Sequence, residues 1–261
     1  MEIIVCIKQV PDTSEVKIDP VTNTLIRAGV PSIVNPFDKN ALEAALVLKQ
    51  AHGGKVTVLS MGPDQAKEAL QECLAMGADK AILLSDRPFG GADTLATSYT
   101  LAAGIKKIGD FDLIICGKQA IDGDTAQVGP EIAEHLNLPQ LTYAAALEVK
   151  DNKVIAKREL EESYEMVESD MPAVVTVVKS INEPRNQSIM GLMKARRTEI
   201  PVWGASDLDV EPEKLGLNGS PTQVKRIFSP KGRVQGEIIN EENVTDATKQ
   251  LIIKLADAKI I

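Results

Sequence analysis

Apolar and polar residues along the first 140 positions come in blocks. Short apolar runs at residues 2–7 (EIIVCI), 55–61 (KVTVLSM), 80–84 (KAILL) and 112–116 (DLIIC) have the length and content of strands buried on both faces. Between them, apolar residues recur at helical spacing. Ala41, Leu42, Ala45, Leu46 and Leu48 mark one helix behind Asn35-Pro36-Phe37-Asp38, and residues 64–76, closed by Gly77, mark a second. Residues 95–107 mark a third, and an amphipathic stretch ending before Gln140 marks a fourth. This alternation predicts an α/β fold of the doubly wound, Rossmann-like class, with a parallel sheet covered by helices on both faces.

After Gln140 the period changes. Residues 142–149, 153–159, 163–168 and 173–178 are short β-like segments, read as an antiparallel extension with one buried strand, AVVTVV. Earlier, residues 16–19 and 24–27 flank a Pro20/Asn23 turn and read as a small hairpin. Residues 181–197 read as a loop and short helix with Met190 and Met193 exposed. Residues 201–236 are rich in proline, glycine and polar side chains and read as an arm. The last helix, about 243–258, sets Val244, Ala247, Leu251, Ile252 and Leu255 on one face. The expected organisation is an α/β nucleotide-binding domain over residues 1–200 and a C-terminal arm over 201–261 whose helix needs a surface to pack on.

Composition narrows the chemistry. A chain of 261 residues can bury a full core, and a net charge of −8 argues against nucleic acid or an anionic membrane as partner. No apolar run has the length of a membrane span and no basic-then-apolar leader opens the chain, so a cytoplasmic protein is expected. The three cysteines, Cys6, Cys73 and Cys116, form no CxxC pair and read as core packing. Two histidines, His52 and His135, offer little for a zinc site or a Ser-His-Asp triad. Redox chemistry here would need a bound cofactor.

The candidate chemistry lies in the turns. The strand at 112–116 runs through Gly117 into Asp122-Gly123-Asp124-Thr125-Ala126-Gln127-Val128-Gly129 before a helix, and a helix N-terminus with bare donors attracts phosphate. Asp122 or Asp124 is expected to cap that helix, leaving Thr125, Gln127 and backbone donors for the ligand; an ordinary Asp-capped loop is the alternative. Residues 6–8, 35–38, 61–62, 90–94 and 117–129 all follow strands, and a parallel sheet gathers such ends at one edge, where a nucleotide would span them. Neither GxGxxG nor the Walker loop is present. Gly90-Gly91-Ala92-Asp93-Thr94 matches part of the SGGxDS loop of ATP pyrophosphatases, with Phe89 at the serine. Asp122-Gly123-Asp124-Thr125 matches the DxDxT of haloacid-dehalogenase-type phosphatases, but does not stand directly at a strand end.

Several longer motifs together carry a resemblance. They are Val5-Cys6-Ile7-Lys8 with Pro11-Asp12, Asn35-Pro36-Phe37-Asp38, LAMGAD at 74–79, Gly117-Lys118-Gln119-Ala120-Ile121-Asp122, Pro139-Gln140, Asn182-Glu183-Pro184-Arg185 and Met193-Lys194-Ala195. Along essentially its whole length the chain resembles the beta subunit of electron-transfer flavoproteins, and GKQAID and NEPR are its specific marks. The resemblance implies an α/β nucleotide-binding subunit paired with an alpha subunit that holds a flavin. Most such subunits carry a structural AMP at positions matching Cys6, Asn35 to Asp38, Met61 and Gly117 to Val128. In the electron-bifurcating branch an FAD takes that place and NADH is the donor. The loops at 90–94 and 122–130 resemble that branch's NADH and FAD pyrophosphate loops.

By the same resemblance, electrons pass to the alpha-subunit FAD and on to an acyl-CoA dehydrogenase-type partner, and separately to ferredoxin or flavodoxin, with no side chain acting as acid, base or nucleophile. Asn182, Glu183, Pro184, Arg185, Met190, Met193 and Lys194 match the family's partner-recognition loop. Lys179-Ser180-Ile181 and Asn186 depart from its usual flanks. An AMP-bearing subunit without chemistry of its own, and an ATP pyrophosphatase or phosphatase, are the competing readings.

Overall fold

The computed structural model describes residues 1–12, 31–225 and 236–261. In chain order the strands and helices are β1 (Glu2–Cys6), β2 (Gln9–Pro11), β3 (Ser32–Val34), α1 (Pro36–His52), β4 (Lys55–Met61), α2 (Lys67–Met76), β5 (Lys80–Leu84), α3 (Thr94–Ile108), β6 (Leu113–Gly117), α4 (Val128–Leu136), β7 (Gln140–Lys150), β8 (Lys153–Glu159), β9 (Tyr164–Asp170), β10 (Ala173–Val177), α5 (Ile189–Ala195), β11 (Val202–Trp203) and α6 (Val244–Asp257). Nine strands form one sheet in the order β11-β5-β4-β1-β6-β10-β7-β8-β9. From β11 to β7 neighbours run parallel, and β7, β8 and β9 continue antiparallel, so the expected α/β class and antiparallel extension both hold.

Strand β1 shows why the apolar runs are continuous. Ile3 and Val5 point into a core formed with α1 and α2, while Ile4 and Cys6 point into a second core formed with α3 and α4. Each of these side chains is almost fully buried, which stabilises the fold by roughly 1.5–3 kcal/mol per large aliphatic residue. A strand covered on both faces cannot alternate with polar residues.

Three departures from the pattern have physical causes. Helix α4 begins only at Val128, with Gln127 as an N-cap that makes no side-chain cap bond, so neither Asp122 nor Asp124 caps it. Asp124 and Ala126 take left-handed φ of 50° and 54°, which a helix cannot contain. The ribbon of β2 and β3 escaped the sequence reading because each strand is three residues long; the hairpin expected at 16–27 lies outside the described residues.

The third departure concerns residues 201–225, which belong to a compact unit spanning 1–225. Val202 and Trp203 pair with Leu83 and Leu84 at the sheet edge, Leu208 and Leu215 are buried, and Lys107 lies 4.7 Å from the Trp203 ring. Such single anchors leave no periodic trace in a sequence. Residues 236–261 belong to a separate unit in which Asn243 caps α6, its side chain accepting from Thr245 N–H at 2.9 Å. None of the α6 side chains is buried. Among the described residues no helix is long and apolar enough to cross a membrane.

Candidate functional site

Chain order changes direction beside β1: β4 and β5 lie on one side, and the chain then returns through α3 to place β6 on the other. The carboxyl ends of β1 and β6 stand at this switch point, where sheets of this class take ligands. Gly117 closes β6 against the first turn of α1. A Cβ at Gly117 would lie 2.4 Å from Asp38 Oδ1 and 2.7 Å from the Phe37 carbonyl carbon, so only glycine lets these elements approach.

Asn35 ties the two loops together. Its amide Nδ2 donates to the Gln119 carbonyl at 2.9 Å, and its Oδ1 accepts from Ile121 N–H at 3.1 Å. A side chain in the N-cap position is thus spent on the 119–121 backbone instead of on its own helix. Asp38 accepts from Lys8 N–H at 2.8 Å. Burial pushes its carboxyl up to about 7, although hydrogen bonds from Asn35 and from the Lys8 and Gly117 N–H groups pull the other way.

The carboxylates that would repel a phosphate are both engaged. Lys8 Nζ lies 2.6 Å from Asp122, and Gln119 Nε2 donates to Asp124 at 2.7 Å. Gly123 between them, and Thr125 and Gln127 after them, stand exposed, and a Cβ at Gly123 would meet nothing within 4 Å. Gly129 serves packing: it is buried in the first turn of α4, and a Cβ there would lie 2.5 Å from the Thr176 methyl. Cys6 and Cys116 face each other across β1 and β6, where hydrogen bonding to Cys6 and burial push the Cys116 thiol well up. Met61 ends β4 half-buried, and Lys118 Nζ lies 5.0 Å from the Tyr143 ring.

The second glycine loop is joined to the first. Thr94 Oγ1 donates to Glu131 at 3.1 Å and lies 3.3 Å from Gln127 Oε1, so the α3 and α4 N-termini meet side by side. Asp93 caps α3 by accepting from Ala96 N–H and also accepts from Thr222 N–H and Oγ. Burial pushes its carboxyl up, but these donors outweigh it and hold the group below the usual range. Gly91, with φ of 74°, faces Leu217, and Leu217 N–H donates to the Gly90 carbonyl at 3.1 Å. The clasp by residues 216–222 was not legible in the sequence, because nothing local ties Thr222 to a loop over a hundred positions earlier.

The residues matched to partner recognition lie elsewhere, against α1 and α2. Arg185 Nε and Nη2 hold Glu43 at 2.7 and 2.8 Å. Helix α5 is capped by Ser188 and crosses α2 so closely that a Cβ on Gly191 would overlap the Ala75 carbonyl. Ile189, Met190 and Met193 are 80 %, 83 % and 54 % exposed.

Comparison with known proteins shows the family. Residues 22–208 match the electron transfer flavoprotein domain. Over the full length of both proteins the chain is 55 % identical to the caffeyl-CoA reductase-Etf complex subunit CarD of Acetobacterium woodii, and equally to the electron transfer flavoprotein subunit beta of Megasphaera elsdenii. Protein FixA of Azorhizobium caulinodans is 45 % identical over 98 % of this chain and 94 % of its own. With the motifs, the fold and full-length similarity in agreement, the chain belongs to the beta subunits of the electron transfer flavoprotein family.

Proposed function

We propose that this subunit, paired with its alpha subunit, binds FAD along the edge formed by Cys6, Asn35 to Asp38, Met61 and residues 117–129, and takes NADH at the adjoining loop 90–94. The observation that carries the reading is the Thr94 bond to Glu131 beside Gln127, which places two glycine loops side by side at two helix N-termini. One dinucleotide on each loop would then lie next to the other.

The residues present fit a flavin dinucleotide. Lys8 and Gln119 occupy the two carboxylates, and exposed Thr125 and Gln127 offer polar contacts to an anion. Asn35 holds the 119–121 backbone in place, and the left-handed residues 124 and 126 turn the chain sharply. The flavin would supply hydride acceptance and one-electron transfer; the protein's part is to bind, orient and shield it. No acid, base or nucleophile is required of a side chain. Electrons would leave through the alpha-subunit FAD to an acyl-CoA dehydrogenase-type partner docking at 182–194, and to ferredoxin or flavodoxin. The full-length similarity to a subunit named for a caffeyl-CoA reductase complex supports a dehydrogenase-type partner. The C-terminal arm and its α6 helix would pack on the alpha subunit, and the protein would act in the cytoplasm.

The test is anaerobic titration of the purified heterodimer with NADH. Two FAD per heterodimer, both bleached by NADH, with ferredoxin reduced only while the dehydrogenase partner accepts electrons, is the expected result. One FAD with one AMP and no response to NADH would overturn bifurcation in favour of the structural-nucleotide reading.

A further inference from the structure

Helix α1 spans about 25 Å at 1.5 Å per residue, and its start and its middle hold two different loops. At its start, Asn35 and Asp38 hold the turn after β6 and the end of β1. Further along, Asn40 Nδ2 donates to the Asn182 carbonyl at 2.9 Å, and Asn182 Nδ2 donates back to the Asn40 carbonyl at 3.0 Å. One turn later Glu43 accepts three bonds from Arg185: Nε at 2.7 Å, Nη2 at 2.8 Å and the backbone N–H at 3.0 Å. Arg185 also reaches Gln50 at 3.3 Å. Lys179, just before this loop, lies 5.0 Å from the ring of Phe37 at the helix start.

Asn40 and Glu43 are both buried, so neither bond set is a loose surface pair. A fork-shaped guanidinium on a shielded carboxylate fixes orientation as well as position. Burial pushes the Glu43 carboxyl up, but the Arg185 guanidinium and N–H outweigh it and keep it ionised below the usual range. The segment 182–185 is therefore held by α1, while α5, which begins four positions after Arg185, is held by α2 under Gly191.

We propose that α1 is a rigid link between the nucleotide turn and the partner-docking loop, with Glu43 and Asn40 as positioning residues that set the 182–185 segment and so its presentation to the partner. Filling the nucleotide site steadies the Asn35 end of the helix and tightens the loop held by Asn40 and Glu43. This rests on the docking role given to residues 182–194 above, and it adds that docking responds to nucleotide occupancy through one helix.

Amide hydrogen exchange on the intact heterodimer tests it. In Glu43→Gln, exchange at Arg185 and across 183–188 should speed up about tenfold or more, because the charged partner of the loop is gone, while the bound nucleotide content stays that of wild type. Arg185→Lys, which keeps the charge but loses the fork, should show the same and covers the case where Glu43→Gln folds poorly. Removing the nucleotide from wild type by dialysis against chaotropic salt should speed the same amides. In Glu43→Gln the KM for a purified acyl-CoA dehydrogenase of the same organism should rise with kcat unchanged. Wild-type exchange across 183–188 in both variants would overturn the lock, and exchange indifferent to nucleotide removal would overturn the link. Faster exchange with an unaltered KM would uphold the lock and overturn the docking assignment alone.

Discussion

Asp38 gives a prediction whose size follows from its surroundings. It is a buried carboxyl at the crossing of β1, β6 and α1, pushed from an ordinary value of 3.8 to about 7 by burial. Between those two pH values the folded protein holds close to one proton more than the unfolded chain, so unfolding free energy falls as pH rises. The slope is about 1.4 kcal/mol per pH unit, which sums to about 4 kcal/mol over the interval. The stabilisation from this proton is fully present below pH 4 and is lost as pH passes 7. Asp38→Asn carries no titrating group there. The difference in unfolding free energy between wild type and variant should therefore move by about 4 kcal/mol from pH 4 to pH 8, against wild type at the upper end. The assay is denaturant unfolding followed through the single tryptophan, Trp203, at a series of pH values. Two curves that stay parallel across that window would refute the assignment of a raised, buried Asp38.

Other outcomes follow from the same geometry. Gly117→Ala sets a methyl against Asp38 Oδ1 and the Phe37 backbone and should cost about 1–3 kcal/mol, read as a lowered denaturation midpoint. Gly129→Ala meets the Thr176 methyl and should cost a similar amount, about 1–3 kcal/mol, with nucleotide affinity changed far less than stability. Asn35→Ala leaves the Gln119 carbonyl and Ile121 N–H without their partner, so the Ile121 amide should exchange about tenfold faster or more.

Most of the fold was legible because its signals are local and repeated. The apolar runs of β1, β4, β5 and β6 and the helical spacing behind them are what a two-faced parallel sheet requires. GKQAID and NPFD were legible as motifs, and Asn35 joins them by its bonds to Gln119 and Ile121. What was not legible depends on distant partners. Asp122 and Asp124 look like helix caps in sequence, but Lys8 and Gln119 claim them and α4 starts at Val128. Gly129 has a packing role that only the fold reveals, because β10 puts Thr176 against it. The 201–225 segment reads as an arm because a two-residue strand and isolated anchors such as Trp203 and Leu215 have no period.

The central claim is that a nucleotide lies along the exposed turn between Asp122 and Gln127. Gly123 has open space around it, so Gly123→Trp should fold normally while filling that space with an indole. Nucleotides released by denaturing the purified heterodimer can be counted by chromatography. Wild type should release two per heterodimer and Gly123→Trp one, the alpha-subunit flavin alone; an equal count from both, or a single nucleotide from wild type, would contradict the account.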